Sequence, residues 1–251
     1  MDDIEGRISS NKLIIPNYYL LTIKLSKPME RAVPGQFVML RIPGGEVFLR
    51  RPFGIYHCEG RDLTIMYKVV GKGTERLSSS QGNEIVFVLG PLGKGFHVEK
   101  RDRYVVVAGG IGIAGVHSLI KRLNEKATLF FGCSSKEEMT LIEDLEHLNP
   151  YISTMNGSYG YKGDVVALLG AHLQTMKGNI EIFTCGPGLM LKGLKALIEN
   201  DRVPCQALVE ERMACGLGLC FGCVIETDDE AEPFRRVCKE GPVFDLWQIR
   251  L

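Results

Sequence analysis

Tyr104-Val105-Val106-Val107-Ala108-Gly109-Gly110-Ile111-Gly112 is the stretch that decides the fold. An unbroken apolar run of this length, without alternation, describes a strand buried on both faces, as a parallel sheet requires. The glycines end it and open a helical pattern from Gly112 to Leu123. Strand, glycine turn and helix together make a dinucleotide-type phosphate loop, although the spacing is not G-x-G-x-x-G. The rhythm then repeats. Strands are expected at Leu129–Phe131, Tyr151–Met155, Ile180–Thr184 and Gln206–Val209. Helices are expected over Glu137–Leu148, near Asp164–Ala171 and over Leu189–Ile198. Such alternation predicts a doubly wound α/β unit with a parallel sheet. Ligands of these sheets bind beyond the carboxyl ends of the strands, so Thr184-Cys185-Gly186-Pro187 faces the same crevice as Gly109, Gly110 and Gly112.

Upstream the pattern is different. Leu20–Leu25, Phe37–Ile42, Leu63–Val69 and Ile85–Leu89 are short, rich in β-branched and aromatic residues, and separated by Pro34-Gly35, Pro43-Gly44-Gly45 and Gly71. They predict an antiparallel barrel or sandwich, with one short helical turn at Thr74–Ser80. Arg50-Arg51-Pro52-Phe53-Gly54-Ile55 lies between two of these strands. An arginine there suits a bidentate clamp on a pyrophosphate, or the segment is an ordinary turn. Gly71-Lys72-Gly73-Thr74 offers backbone N–H groups to a phosphate, or is a glycine turn with a threonine cap.

The 251 residues are 45% hydrophobic, with 30 Lys+Arg against 30 Asp+Glu. That balance argues against a nucleic-acid or membrane-surface protein, and the length suits two domains. Met1 to Glu5 is acidic with no apolar segment, and no apolar run approaches the ~20 residues that span a bilayer. A cytoplasmic protein with reduced thiols is expected. Ile4-Glu5-Gly6-Arg7 also matches a protease site used to remove tags.

Four of the eight cysteines crowd the carboxyl-terminal tail as Cys215-x4-Cys220-x2-Cys223, with Cys238 after fourteen residues. This is the spacing of plant-type [2Fe–2S] ligation. Four thiolates leave an oxidised cluster at about −2, an anion that needs backbone N–H donors folded closely over it. Gly216, Gly218 and Gly222 are expected to permit that approach and its positive φ angles. A zinc site and unligated thiols are the other readings; structural zinc usually takes two short cysteine pairs rather than three ligands plus one. Cys58, Cys133 and Cys205 are read as packing thiols, and the five histidines show no ligand spacing.

In this order the motifs resemble the ferredoxin-reductase superfamily. Arg51-Pro52-Phe53-Gly54 matches its flavin signature, with Gly54 where a hydroxyl residue is usual. Ala114-Gly115 stands where that superfamily often has proline. Glu210-Glu211-Arg212-Met213-Ala214-Cys215-Gly216, the cysteine spacing and Val237-Cys238-Lys239-Glu240-Gly241-Pro242-Val243-Phe244 narrow the resemblance to the electron-transfer subunits of class 1B dihydroorotate dehydrogenases. Gly157-Ser158-Tyr159-Gly160 and Gly90 to Phe96 are similar too, so the likeness runs nearly the whole chain.

The resemblance implies a β and α/β multidomain fold: an FAD-binding β-barrel over 1–98, an NAD-binding domain over 99–209 and a [2Fe–2S] module over 210–251. It implies FAD held by Arg51, Pro52, Phe53, Gly54, Met66, Tyr67, Lys68, Gly73 and Thr74. It implies NAD at Gly109, Gly110, Gly112, Cys185, Gly186 and Pro187, and cluster ligation by Cys215, Cys220, Cys223 and Cys238. The partner would be an FMN-containing catalytic subunit that oxidises dihydroorotate in pyrimidine biosynthesis, in a heterotetramer of two copies of each. No side-chain acid or base is then needed. The alternatives are a ferredoxin-, hydrogenase- or sulfide-linked reductase subunit of the same superfamily, and a zinc-stabilised binding module without redox chemistry. The loop Cys133-Ser134-Ser135-Lys136 lacks an arginine for a 2′-phosphate, which favours NAD, with Lys136 as the one cation for NADP.

Overall fold

The computed structural model describes residues 3–44, 48–176 and 178–251. Met1, Asp2 and Gly45, parts of the acidic amino terminus and of the Pro43-Gly44-Gly45 turn, lie outside the described residues.

Alternating apolar residues give each amino-terminal strand one face to bury. β1 (Ile4–Ile15) and β2 (Tyr18–Leu25) pair as an antiparallel hairpin turning at Asn17, which takes φ 69°. β3 (Phe37–Arg41), β4 (Arg51–Gly54), β5 (His57–Glu59), β6 (Asp62–Lys68), α1 (Lys72–Ser78) and β7 (Ile85–Leu92) follow. The strands form one seven-stranded sheet in the order β4-β3-β7-β1-β2-β6-β5. Ile8, Leu21, Ile23, Val38, Leu63, Ile65 and Val86 fill its inner side. The sheet curls: Phe53 on edge strand β4 meets Tyr67 of β6 with ring centroids 5.8 Å apart, and the Tyr56 N–H donates to the Thr64 carbonyl at 3.1 Å. Ile4–Arg7, the protease-site match, is the start of β1 and pairs with Ile85–Val88 of β7.

The second sheet is built from β8 (Arg103–Gly109), β9 (Ala127–Cys133), β10 (Tyr151–Thr154), β11 (Tyr161–Lys162), β12 (Ile180–Cys185) and β13 (Cys205–Leu208). Its order is β11-β10-β9-β8-β12-β13, all parallel, so the strand order reverses beside β8. α2 (Ile113–Leu123) packs Val116, Leu119 and Ile120 on the face of Val106 and Phe131. α3 (Val165–Leu173) and α4 (Gly188–Leu197) cover Val105, Val107 and Phe130 on the other face. Successive residues of one strand thus feed two cores, which is why its sequence is continuously apolar. Glu137–Leu148, expected as a helix, lies in a 3₁₀ run over Lys136–Leu148 kinked at Ile142. Met139, Ile142, Leu145 and Leu148 recur every three residues, the 3₁₀ period rather than the α period.

The tail returns to this sheet. β14 (Val224–Glu226) and β15 (Phe234–Arg236) form a small hairpin, and β16 (Val243–Asp245) pairs antiparallel with β13 as the seventh strand. Cys223, Val237, Cys238, Leu246 and Ile249 share one buried core with Phe37, Met39 and Leu92 of the first sheet and Ala207 of the second.

Candidate functional site

A cleft of about 1180 Å³ opens at the carboxyl ends of the parallel strands. Gly109, Gly110 and Gly112 line it from the β8–α2 turn, and Gly186 and Pro187 from the β12–α4 turn. The two turns touch backbone to backbone. A Cβ on Gly109 would sit 2.8 Å from Met190 Sδ and 3.0 Å from Pro187 Cδ, and one on Gly112 would collide with the Cys185 carbonyl. Only glycine permits that approach, and both turns line one space. Cys185 lies beneath, fully buried, and burial pushes its thiol well above the usual range.

Across the cleft stand Tyr18 and Lys68 of the first sheet. The Tyr18 hydroxyl donates to Glu138 Oε1 at 2.9 Å, and the Ser134 N–H donates to Glu138 Oε2 at 3.0 Å. Lys68 Nζ lies 4.8 Å from the Tyr18 ring centroid. Neither Tyr18 nor Glu138 was legible as a site residue, because nothing local in sequence joins them.

The flavin-signature residues form β4 of the first sheet, and its last residue, Gly54, reaches the second unit. Arg51 and Gly73 meet: a Cβ on Gly73 would be 2.5 Å from Arg51 Nε. Thr74 is not the helix cap, which is Gly71; its hydroxyl instead accepts from the Val70 and Gly71 N–H groups at 2.9 and 3.2 Å, fixing the turn from within. Gly54, at the other end of β4, faces α2, where a Cβ would lie 3.7 Å from Gly115 Cα. The two departures from the superfamily pattern, Gly54 and Ala114-Gly115, are therefore neighbours in space. Tyr67 is buried, stacks on Tyr19 at 5.4 Å and donates to Asn11 Oδ1 at 3.1 Å. Met66 beside it is buried, while Pro52 and Phe53 are half-buried on β4.

The tail cysteines converge in two pairs. Cys215 and Cys220 are within hydrogen-bonding reach of each other, as are Cys223 and Cys238. Backbone N–H groups point at every sulfur. Leu217 N donates to Cys215 at 3.4 Å, Gly222 N to Cys220 at 3.5 Å, Cys238 N to Cys223 at 3.4 Å and Gly218 N to Cys238 at 3.1 Å. Burial raises the Cys215 thiol, but the N–H groups of Leu217, Cys220 and Leu219 outweigh it and hold the thiol at about 6. Burial and then Cys223 push Cys238 up to about 12. Gly216 and Gly218 take φ 69° and 76°, as expected; the third left-handed residue is Phe221 at 54°, not Gly222. Arg236, which sequence patterning did not single out, braces the loop. Its guanidinium donates to the Gly218 carbonyl at 2.7 Å, pairs with Glu240 and lies 4.7 Å from the Phe221 ring centroid. Among the described residues no three His, Cys, Asp or Glu side chains surround a single point as a lone ion would need. Paired thiols under N–H donors suit two irons, each taking two thiolates.

Comparison with known proteins follows the same lines. The family model of the iron–sulfur cluster binding domain of dihydroorotate dehydrogenase B matches residues 210–250. The chain is 37% identical to the dihydroorotate dehydrogenase B (NAD(+)) electron transfer subunit of Caldanaerobacter subterraneus subsp. tengcongensis, covering 96% of each chain. It is 34% identical to that of Enterococcus faecalis, over 97% of each. Among solved structures, the NADH-dependent reduced ferredoxin-NADP oxidoreductase matches at TM-score 0.84 and 24% identity, over 98% of this chain and 89% of that one. A ferredoxin NADP+ reductase from Neisseria gonorrhoeae, bound to FAD and NADP, matches at TM-score 0.65 and 20% identity, over 78% and 90%. These two likenesses speak to the fold. Identity above thirty per cent over almost the whole length of both chains decides the rest: this chain belongs to the family of dihydroorotate dehydrogenase B (NAD(+)) electron transfer subunits.

Proposed function

We infer that this chain is the electron-transfer subunit of an NAD-dependent dihydroorotate dehydrogenase, carrying electrons from an FMN-containing, dihydroorotate-oxidising partner through a [2Fe–2S] cluster and FAD to NAD⁺. The observation that carries this reading is the pairing of the four tail thiols under N–H donors, in a chain that also has a nucleotide cleft. When bound, the cluster supplies one-electron chemistry and FAD links it to hydride transfer.

The chain's own residues hold, orient and shield. Cys215, Cys220, Cys223 and Cys238 are proposed as the cluster ligands, with Arg236 offsetting the cluster's negative charge. Arg51, Gly73 and Thr74 form the flavin phosphate cradle, and Pro52 to Gly54 with Met66, Tyr67 and Lys68 are proposed to flank the rest of FAD. The contact of Gly54 with Gly115 sets the end of this flavin segment against α2 of the nicotinamide unit. Gly109, Gly110, Gly112, Gly186 and Pro187 are proposed to receive the NAD pyrophosphate, with Cys185 packed beneath them.

The curled first sheet is proposed as the FAD barrel over 1–98, followed by the NAD domain over 99–209 and the cluster-binding segment over 210–251. The cluster loop exposes Leu217, Leu219 and Phe221, at 42%, 77% and 60% of their surface. Apolar residues so placed favour burial against a partner, and the exposed Cys220 among them sets the cluster near that face. We propose the catalytic subunit as that partner, two copies of each chain forming the complex, in the cytoplasm. No helix of the described residues is long and apolar enough to cross a membrane.

Cys223→Ser tests the ligand assignment. The variant is expected to lose the [2Fe–2S] absorbance and partner-coupled NAD⁺ reduction, while NADH still bleaches the bound FAD. Undiminished coupled NAD⁺ reduction would remove Cys223 from the ligand set.

A further inference from the structure

The loop after β9 is the place where dinucleotide folds distinguish the two nicotinamide cofactors, because the adenosine ribose lies beyond the carboxyl end of the second strand. In this chain that loop contains both a cation, Lys136, and two carboxylates, Glu137 and Glu138. Their placements differ. Lys136 and Glu137 are exposed, and neither lines the nucleotide cleft. Glu138 is half-buried and lines the cleft together with Gly132, Cys133, Ser134 and Ser153.

Glu138 is also fixed in position from two sides. Its Oε2 accepts the Ser134 N–H at 3.0 Å, which ties the carboxylate to the end of β9. Its Oε1 accepts the Tyr18 hydroxyl at 2.9 Å, which ties it to the other sheet. Each oxygen keeps a further acceptor position, the complement of a ribose hydroxyl donor. A 2′-phosphate at the same place would bring two negative charges against a carboxylate that cannot turn away.

We propose that Glu138, held by Tyr18 and the Ser134 N–H, is the residue that selects NAD over NADP, accepting a hydrogen bond from the adenosine ribose and repelling a 2′-phosphate. Tyr18 is a positioning residue that acts through Glu138. Lys136 has no part in the choice. The selection is a built-in repulsion as much as an attraction.

This inference rests on the NAD-binding reading above, and one titration series separates the two. Binding of 5′-AMP, 2′,5′-ADP, NAD⁺ and NADP⁺ to the full, FAD- and cluster-loaded chain is measured by calorimetry for the wild type and for Glu138→Gln, Tyr18→Phe and Lys136→Ala. The wild type is expected to prefer 5′-AMP and NAD⁺. Glu138→Gln should shift the preference towards the 2′-phosphorylated ligands by about tenfold or more, equivalent to ~1.4 kcal/mol. Tyr18→Phe should shift it the same way by less, and Lys136→Ala should leave it unchanged. An unchanged preference in Glu138→Gln, or a loss of preference confined to Lys136→Ala, overturns the assignment of Glu138 while leaving the NAD site standing. A wild type that binds none of the four overturns both.

Discussion

At the scale of single residues, the β8–α2 and β12–α4 turns depend on the absence of side chains. Gly112 is the sharpest case, since a methyl group there meets the Cys185 carbonyl and the Gly186 N, both backbone atoms that cannot swing aside. Gly112→Ala must therefore push the β8–α2 and β12–α4 turns apart. Overpacking of this kind costs about 1–3 kcal/mol. The expected result is a lowered melting temperature together with a KM for NADH raised severalfold, read from thermal unfolding and diaphorase kinetics; a variant with native values for both would contradict the contact. The glycines of this loop were legible in the sequence because they follow a strand and open a helix. The convergence of the four tail cysteines was legible because their spacing is fixed by short-range geometry. Glu138 and Arg236 were not. Each acts through partners distant in sequence, Tyr18 for the one and Gly218 for the other, and no local pattern reports such a meeting.

At the scale of elements, the two sheets are pinned where Tyr56, beside the flavin signature, packs on a polar cluster of the second unit. Tyr56, two residues after Gly54, stacks on His117 of α2 with ring centroids 3.6 Å apart. His117 Nε2 lies 2.9 Å from Asp144 Oδ2, and Lys121 Nζ reaches the same carboxylate at 2.9 Å. Burial would raise the Asp144 carboxyl, but His117 and Lys121 outweigh that and hold it well below the usual carboxylate range. A carboxyl depressed in the folded state contributes stability above its unfolded pKa of about 3.9 and loses it as the pH falls further. Asp144→Asn should therefore unfold at lower urea than the wild type at pH 7, and the gap should narrow progressively below about pH 4. A gap independent of pH would show that Asp144 is not held as an ion. The elements themselves were legible unevenly. The continuous apolar strands β8 and β12 and the amphipathic α2 appear within a residue or two of expectation. β1 was missed although Ile4, Gly6 and Ile8 alternate with exposed residues, because the register shift after Ile8 breaks the alternation halfway along the strand. β16 was missed because three residues carry no periodicity; its pairing with β13 is a tertiary event.

At the scale of the whole molecule, the order of the sites follows from the topology. The cluster loop leaves the end of β13 beside the nucleotide cleft, shares a core with β3 of the first sheet, and returns as β16. Met39 of β3 shows how close the elements come: a Cβ on Gly216 would sit 2.5 Å from its Cγ. The β3–β4 region, the glycine turns of the second sheet and the cysteine loop are thus parts of one packed body, with the apolar rim of the cysteine loop exposed where the proposed partner would dock. Such a body has one purpose to be tested, the transfer of reducing equivalents between that partner and NAD⁺. The direct measurement is NADH formation from dihydroorotate and NAD⁺ by an FMN-containing dihydroorotate dehydrogenase catalytic subunit, with and without this chain loaded with FAD and cluster. NADH formation is expected only when both chains are present; NADH formation that is independent of this chain, or absent with both loaded subunits in complex, would contradict that role.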